Sequence, residues 1–383
     1  MMDMNNNKTL EKRVTELFLQ LTSIDSVSFR ERKMAAVLKT ALTELGFEVT
    51  EDDAASKLDS EAGNVYGILR GDPAKKPVLF SAHMDTVEPG LGKVPVMSED
   101  GDMITSDGET VLGADDVSGI VEILEGIRLA VSSDENGDTA SHGDIEVLFT
   151  AAEEAYAKGA HAFDYSRLVS EEAYVLDMSG APGKAARKAP SIISFEATIK
   201  GKAAHAGFAP EEGVNALKAG AEAVTRIRQG HISENTTFNV GTIQAGTADN
   251  IVADLCTCTG EARGFDHSEA MAQISRTEEI FRQEAEKAGA SLGFTHTVHI
   301  TAYETPEDAP VIQCFRKACD ALGLEGQVTS TLGGSDNNPF VEHGLSGIVL
   351  ASGMYNTHTT KEYTYVRDLA AGARLVAEII KNR

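Results

Sequence analysis

The chain has 383 residues, which is too long for one ordinary hydrophobic core, so two domains are expected. Its 34 Lys and Arg residues stand against 59 Asp and Glu residues, and the formal net charge of −25 argues against nucleic acid and anionic membranes as partners. No apolar run approaches the roughly 20 residues of a membrane span, and the N-terminus lacks the apolar core of a signal peptide, so a cytoplasmic protein is expected.

The spacing of apolar residues predicts helix over residues 8–47, with Gly46 as the expected C-terminal cap. Short apolar runs bounded by polar turns then predict four strands, at Val65–Leu69, 78–82, Ile145–Thr150 and 174–176. Between the second and the third strand, apolar residues at helical spacing predict a helix over 117–129. This alternation predicts a largely parallel sheet with helices on both faces. Residues 131–143 are predicted to form a polar surface loop.

The composition changes after Asp177, where residues 179–190 are rich in Gly, Ala, Pro and Lys and predict a linker. The next block has the order β-α-β-β-α-β of a ferredoxin-like unit, with predicted elements over 192–199, 214–227, 237–244, 251–263, 268–288 and 295–300. Residues 304–383 return to helix, a strand over 348–350 and a final helix from Val366. The four cysteines have no metal-site or disulfide spacing and are expected to be reduced: Cys256, Cys258, Cys314 and Cys319.

Five predicted strand ends carry residues of the type that bind metal ions. They are His83-Met84-Asp85, Asp115-Asp116, Glu153-Glu154, Asp177 and His358. Side chains at the carboxyl ends of parallel strands face the usual ligand crevice of such a sheet. Carboxylate oxygens and imidazole nitrogens suit divalent metals, and a shared carboxylate can hold two of them about 3.5–4 Å apart.

Each segment has an ordinary explanation when it is taken alone. A His-x-Asp pair is often incidental, acidic pairs are common at helix N-termini, and a single Asp or His in a loop is usually a solvated turn residue. The conjunction of five strand ends is what indicates an enzyme. Asp85 could also orient His83 by a hydrogen bond to its second ring nitrogen.

The sequence resembles the di-zinc exopeptidase and amidohydrolase family that includes peptidase T, carboxypeptidase G and aminoacylase. Peptidase T is the best match through His83-Met84-Asp85-Thr86, the Leu-Gly-Ala-Asp-Asp run at 112–116, and Ala152-Glu153-Glu154. The resemblance implies an α/β fold, with a zinc-exopeptidase-like mixed sheet flanked by helices. It also implies an inserted ferredoxin-like α+β lid or dimerisation domain over 189–303, with 1–188 and 304–383 forming a discontinuous catalytic di-metal domain.

The resemblance also implies roles for the strand-end residues. Asp115 would bridge two divalent metal ions, with His83 and Asp177 completing one site and Glu154 and His358 the other. The metals would be zinc, although cobalt and manganese tolerate the same ligands. Glu153 would be the general base and acid, and the Asp115–Asp116 peptide is expected to be cis.

The inserted domain carries further implied site residues. His205, in the run Gly-Lys-Ala-Ala-His-Ala-Gly at 201–207, would stabilise the oxyanion in the partner subunit's active site. Asn250 and Arg263 would hold the substrate carboxylate, for which the guanidinium fork is suited. Ser335 lies in a Gly-Gly-Ser-Asp run that resembles the family's substrate loop. Without the resemblance, these would be surface-loop, strand-surface and turn residues.

The expected function is a metal-dependent exopeptidase acting on short peptides. The resemblance implies a tripeptide aminopeptidase that forms a homodimer through residues 189–303. Two departures from the peptidase T motifs, Val117-Ser118-Gly119 and the run Tyr-Asn-Thr-His-Thr at 355–359, bear on the tripeptide specificity more than on hydrolysis itself. Two alternatives stay open. One is an N-acyl amino acid amidohydrolase or carboxypeptidase of the same family. The other is a metal-binding protein without catalysis on the same scaffold.

Overall fold

The computed structural model of the chain describes residues 2–132 and 141–383. Most of the surface loop predicted over 131–143 therefore lies outside the described residues. The chain divides into two compact units. The first, unit 1, contains Met1–Lys188, Glu304–Thr331 and Ser335–Arg383, and the second, unit 2, contains Ala189–Tyr303 and Leu332–Gly334.

The helices of the described residues vary from short turns to spans of more than 20 residues. They are α1 (Met2–Thr22), α2 (Arg32–Glu44), α3 (Ala54–Leu58), α4 (Ala114–Val131), α5 (Lys158–Ala162), α6 (Ala216–Arg226), α7 (His267–Ala288), α8 (Pro310–Leu322), α9 (Asn337–Glu342) and α10 (Val366–Lys381). Among these residues, no helix combines the length and the apolar character needed to cross a membrane.

The strands in the described part of the chain form three sheets, two of them in unit 1. They are β1 (Glu48–Glu51), β2 (Val65–Leu69), β3 (Val78–His83), β4 (Pro95–Met97), β5 (Met103–Ser106), β6 (Ile145–Thr150), β7 (Glu172–Met178), β8 (Lys184–Ala189), β9 (Ser191–Lys200), β10 (Gly230–His231), β11 (Thr236–Ala245), β12 (Leu255–Gly264), β13 (Ser291–Ile300), β14 (Tyr303–Glu304), β15 (Gln327–Ser330), β16 (Ser346–Ala351), β17 (Met354–Tyr355) and β18 (Tyr363–Tyr365).

The single helix predicted over 8–47 is wrong, because α1 and α2 are separated by residues 23–31. The break is held by tertiary contacts that a local pattern does not reveal. Val27 forms a bridge with Thr86, and the Thr86 N–H donates to the carbonyl of Ser26 at 3.0 Å. Gly46 does follow the second helix in the left-handed conformation, with φ of +90°.

The large sheet of unit 1 has the order β1-β2-β6-β3-β7-β16-β8-β14. Its centre, from β6 to β16, is parallel, whereas β1 and β2 at one end and β8 beyond β16 pair antiparallel. The predicted linker over 179–190 is therefore partly wrong, since β8 is a strand of this sheet that also pairs with β15. Its Lys-Ala-Ala-Arg-Lys-Ala sequence lacks the branched and aromatic residues that mark strands.

Helices α4 and α10 pack closely against each other in the core of unit 1. The contact is tight where Gly126 of α4 meets Val376 of α10, because a β-carbon on Gly126 would lie 2.5 Å from the Val376 Cβ. Helix α4 is buried along most of its length, and it begins at the acidic pair Asp115-Asp116. The core thus fixes the direction in which this pair is presented.

Unit 2 has the predicted ferredoxin-like arrangement. Its sheet order is β10-β11-β12-β9-β13, with antiparallel pairing throughout. Helices α6 and α7 cover one face, where Phe195 stacks on Phe238 and Phe294 at centroid distances of 5.5 and 5.6 Å. Gly260 permits this packing, because a β-carbon there would lie 2.6 Å from the Phe195 ring.

Candidate metal centre

Three neighbouring strands of the large sheet run parallel and end at one edge. Strands β6, β3 and β7 lie side by side, and the register pairs His83 of β3 with Thr150 of β6. Asp177 is the next-to-last residue of β7, and Glu153 and Glu154 follow directly after β6. The fold therefore brings these strand ends together, as their positions in the sequence predict.

Asp115 lies between the two histidines of this edge. Its Oδ1 is 2.9 Å from Nε2 of His83, and its Oδ2 is 3.2 Å from Nε2 of His358. His358 Nε2 is also 3.0 Å from Glu154 Oε1, and His83 Nε2 is 3.8 Å from Asp177 Oδ1. One carboxylate thus faces a histidine and an acid on each side, which is the arrangement needed for a ligand shared by two metal ions.

The two histidines and Asp115 strongly influence each other's protonation. Hydrogen bonds to Asp115 and Glu154 raise the pKa of His358 to about 11. Burial alone would raise the pKa of Asp115, but hydrogen bonds from His358 and His83 outweigh it and hold this pKa well below its ordinary value. Asp115 is therefore a carboxylate that remains ionised, as a bridging ligand must.

In the remaining acids of the centre, burial outweighs the positive charge of the nearby histidines. Burial is the main cause that raises the pKa values of Asp116, Glu153, Glu154 and Asp177 above their ordinary values. Buried carboxylates are costly unless they are paired or bind cations. An excess of acids over histidines in one buried cluster therefore fits divalent metal ions.

Two groups of candidate ligand atoms are close enough together to hold a metal ion, and His83 belongs to both. In each of two groups, one from His83, Asp116 and Asp177 and one from His83, Asp115 and Glu154, the ligand atoms lie within 4.8 Å of one another. Asp116 was not predicted as a ligand, and its carboxylate accepts the main-chain N–H groups of His83 and Gly119 at 3.2 Å each. The Asp115–Asp116 peptide is cis, as the resemblance implies.

The loops that carry the acids and His358 contain unusual backbone conformations. Several residues without the freedom of glycine have positive φ values: Ala152 (+52°), Tyr156 (+72°), Ala157 (+52°), Asn356 (+52°) and His358 (+62°). Such conformations cost free energy and persist where the surrounding structure imposes them, often at functional sites. The three alanine and tyrosine residues flank Glu153-Glu154, and Asn356 and His358 lie in the turn between β17 and β18.

Asp85 holds the Glu153–Glu154 loop in place. Its carboxylate accepts the main-chain N–H groups of Glu153 at 2.9 Å and Glu154 at 3.2 Å, and the Ser28 hydroxyl at 2.7 Å. The second ring nitrogen of His83, Nδ1, lies 2.9 Å from the main-chain oxygen of Asp85 and 3.4 Å from its carboxylate. The carboxylate contact that the sequence suggests for His83 is thus the longer of the two.

Two other buried acids support the centre and were not found by sequence reasoning. Glu362 accepts the N–H groups of Gly113 at 2.7 Å and Asp115 at 2.9 Å. Glu31 accepts the N–H groups of Phe29 at 2.7 Å and Ala152 at 3.0 Å. Each binds the main-chain N–H of a residue far away in the sequence, Asp115 for Glu362 and Ala152 for Glu31, so neither has a recognisable spacing in the sequence.

His205 and Asn250 lie in loops of unit 2. His205 Nδ1 accepts the N–H groups of Gly207 at 3.1 Å and Phe208 at 3.2 Å, and its ring packs on that of Phe208 with a centroid distance of 4.4 Å. An accepting Nδ1 leaves the proton of the neutral ring on Nε2. Asn250 is exposed, and its carbonyl accepts the Ala206 N–H at 2.9 Å.

The guanidinium of Arg263 already has partners within unit 2. Its Nε donates to Glu261 at 2.7 Å, and its Nη1 donates to the carbonyl of Leu332 at 3.1 Å. Ser335 is buried in unit 1, where its hydroxyl accepts the Asn337 N–H at 3.3 Å. The substrate-binding roles of Arg263, Ser335 and Asn250 remain predictions.

The fold and the centre together define a two-metal hydrolase. Acids and histidines converge at the carboxyl ends of parallel strands, and one carboxylate is shared between two histidine–acid pairs. A family model described as peptidase dimerisation domain matches residues 188–289, and a model described as peptidase family M28 matches residues 64–229.

Relatives and solved structures extend this likeness over nearly the whole chain. Aminopeptidase PepT from Bacillus cereus ATCC 10987 is 34% identical with a TM-score of 0.89, and the match covers 97% of this chain and 98% of that one. A tripeptidase from Staphylococcus aureus is 32% identical with a TM-score of 0.92 over the same shares. Peptidase T from Geobacillus kaustophilus is 27% identical over 392 residues, 91% of this chain and 90% of the relative. The chain belongs to the M20 family of metallopeptidases, within the branch that contains peptidase T.

Proposed function

We propose that the chain is a tripeptide aminopeptidase that depends on two divalent metal ions, which we infer to be zinc. The single observation that carries the proposal is the position of Asp115, with one carboxylate oxygen 2.9 Å from His83 and the other 3.2 Å from His358. The names of the most similar relatives, which include an aminopeptidase and a tripeptidase, support the substrate class.

The proposed ligands are Asp115 for both ions, His83 and Asp177 for one, and Glu154 and His358 for the other. When bound, such a pair of ions polarises the scissile carbonyl and lowers the pKa of a shared water molecule. The chemistry of the donors, imidazole nitrogen and carboxylate oxygen, is compatible with zinc, cobalt and manganese.

Glu153 is the proposed general base and acid. Burial raises its pKa, with the charge of Asp177 as the next cause, so this carboxylate binds a proton more readily than an exposed one. It would take a proton from the attacking water and deliver it to the amine that leaves the cleaved peptide. Asp85 fixes the backbone of Glu153 and thereby the place from which the carboxylate acts.

Two further parts of the proposal concern unit 2. The match to a peptidase dimerisation domain supports a homodimer formed through residues 189–303, in which His205 serves the partner subunit's site. The accepting Nδ1 of His205 leaves an Nε2–H donor, which suits a role in stabilising an oxyanion. Asn250 is proposed to hold the carboxylate of the peptide.

Sedimentation velocity tests the homodimer. A monomer that is fully active would exclude the role of His205 in the partner subunit's site.

Metal-loaded protein should be assayed on one tripeptide, its N-acetyl form, the matching dipeptide and an N-acyl amino acid, with products identified by mass spectrometry. We expect the free tripeptide to lose its N-terminal residue and the N-acetyl form to be resistant. Release of a C-terminal residue, or cleavage of acyl amides alone, would instead identify a carboxypeptidase or an amidohydrolase. No turnover with both metal ions bound would indicate a scaffold without catalysis.

A further inference from the structure

A three-residue segment of the chain belongs to a different unit from the residues on either side of it. Leu332–Gly334 is part of unit 2, whereas the chain up to Thr331 and from Ser335 onward is part of unit 1. The chain therefore changes unit at the peptide bond between Gly334 and Ser335. Because the chain is continuous, contacts that hold Leu332–Gly334 in place also limit the positions that Ser335 and the residues after it can take.

Arg263 and Ile300 fix this segment within unit 2. Arg263 Nη1 donates to the carbonyl of Leu332 at 3.1 Å, while Nε of the same side chain is held by Glu261 at 2.7 Å. Gly334 lies directly on Ile300, since a β-carbon on Gly334 would come 2.0 Å from the Ile300 Cδ1 atom. One guanidinium and one close glycine contact thus help to hold the segment in unit 2.

The residues that follow the segment are buried beside the metal centre. The Ser335 N–H donates to Asn338 Oδ1 at 3.2 Å. Asp336 is 1% exposed and accepts a hydrogen bond from the hydroxyl of Thr150. Thr150 is the last residue of β6 and lies opposite His83 in the ladder. The hydrogen bond from Thr150 to Asp336 therefore anchors the strand end from which Glu153 emerges.

We propose that Arg263 is a positioning residue that holds Leu332–Gly334 and, through the continuous chain, sets Asp336 against Thr150 at the end of β6. This inference rests on the proposed peptidase activity only where its effect is measured as a change in kcat. It assigns to Arg263 a task different from binding the substrate carboxylate. The two tasks can be separated, because they change different kinetic constants.

The first test replaces Arg263 with lysine, which can still pair with Glu261 but lacks the fork needed to reach the Leu332 carbonyl as well. The matched control is Arg226→Lys, since Arg226 forms a comparable ion pair with Glu284 in unit 2 at 2.5 Å. Because small displacements of catalytic groups are costly, we expect Arg263→Lys to lower kcat about 10-fold or more and the control to lower it less than about 2-fold.

The substrates for this test are a tripeptide and its C-terminal amide. A positioning role lowers kcat by the same factor for both and leaves the ratio of their KM values unchanged. If Arg263 binds the carboxylate, Arg263→Lys will raise KM for the acid toward that for the amide while kcat is retained. That result would overturn the proposal.

The second test exploits the contact between Gly334 and Ile300. We expect Gly334→Ala to lower kcat, because the added β-carbon collides with the Ile300 Cδ1 atom. Ile300→Val lacks this atom and should be close to wild type alone, and it should recover most of the activity when combined with Gly334→Ala. A double variant no more active than Gly334→Ala would count against the proposed path.

A measurement without substrate separates this inference from the proposed function. Hydrogen exchange followed by mass spectrometry reports on residues 332–338, where the N–H groups of Ser335 and Asn337 are held by side chains. We expect faster exchange in Arg263→Lys than in the wild type and in Arg226→Lys. Wild-type protein that turns over no tripeptide would refute the proposed function while leaving this comparison valid. Unchanged exchange in Arg263→Lys would refute the positioning role.

Discussion

The metal centre is organised residue by residue through acids that bind main-chain N–H groups. Asp85 holds the N–H groups of Glu153 and Glu154, and Glu362 holds those of Gly113 and Asp115. Hydrogen bonds to ionised acceptors are stronger than those between neutral groups. The candidate ligands are therefore presented by loops whose backbones are held by hydrogen bonds to these acids.

Asp85→Asn tests this support directly. The amide side chain keeps the size of Asp85 but loses the charge and one of the two acceptors, so the loop carrying Glu153 and Glu154 is held less firmly. We expect kcat to fall about 10- to 100-fold on the preferred substrate, as misplaced catalytic groups do. Steady-state kinetics with metal analysis provides the measurement.

Ser28→Ala is the matched control, because Ser28 donates to the same carboxylate at 2.7 Å without touching the acids of the loop. Its loss should cost less than about 5-fold in kcat, in keeping with one hydrogen bond of modest net strength. Equal activities of Asp85→Asn and Ser28→Ala would contradict the role given to Asp85.

At this scale, the sequence predicts residues that follow apolar strands and misses residues that act through loops. His83 and Asp177 are recognisable because each lies at or next to the end of a buried strand, and parallel strand ends meet at one edge. Glu362 is not recognisable, since its task depends on the path of the loop around Gly113. Arg263 shows a further limit, because its guanidinium contacts Leu332, 69 residues away in the chain.

At the scale of elements, helix α4 joins the centre to the core of unit 1. Asp115 lies at its start, and Glu122 lies in its buried middle against α10. Gly372 of α10 makes room for Glu122, since a β-carbon on Gly372 would be 1.9 Å from the Glu122 carboxyl carbon. Within residues 2–132 and 141–383, no hydrogen-bond partner for Glu122 Oε1 is found. This buried acid is therefore expected to destabilise the contact between α4 and α10 when it is ionised.

Glu122 should make the stability of the protein depend on pH. Burial, followed by the charge of Asp368, raises its pKa above the ordinary value of 4.5. The native state then holds a proton that the unfolded chain has released, so the contribution of Glu122 to stability falls as the pH rises above 4.5. Glu122→Gln is uncharged at every pH and removes this loss.

We expect Glu122→Gln to raise the free energy of unfolding at pH 8 by roughly 1–3 kcal/mol and to have less effect near pH 5, as measured by urea unfolding. Glu125→Gln on the same helix is the control. Glu125 is paired with Arg13 at 2.7 Å and Arg128 at 3.2 Å, so its replacement should destabilise the protein. If the gain in the free energy of unfolding on Glu122→Gln is smaller at pH 8 than at pH 5, the raised pKa of Glu122 is refuted.

The elements themselves were predicted well where the pattern was strong. The strands Val65–Leu69 and Ile145–Thr150 have their predicted bounds, because each is an apolar run between polar turns. The break between α1 and α2 was missed, since residues 23–31 are held by contacts with Thr86 and Asp85 rather than by local breakers. Strand β8 was missed because small and basic residues resemble a linker.

At the scale of the whole molecule, the chain builds unit 1 from segments on both sides of unit 2. The sequence indicates this insertion because His358 follows a complete β-α-β-β-α-β block, while the other metal-type residues precede it. The return of Leu332–Gly334 to unit 2 has no such signal. Three residues without a periodic pattern cannot be assigned to either unit from sequence.

The central claim is that Glu153 moves the proton in a reaction that requires two bound metal ions. The most direct test is Glu153→Gln in the metal-loaded protein, assayed on the substrate that the wild type prefers, with metal content measured on the same sample. We expect kcat to fall by about 1,000-fold or more, because proton transfer by a positioned side chain contributes 10²–10⁴-fold, while two metal ions per chain remain bound. Turnover within a few fold of the wild type, with both ions still bound, would contradict the account.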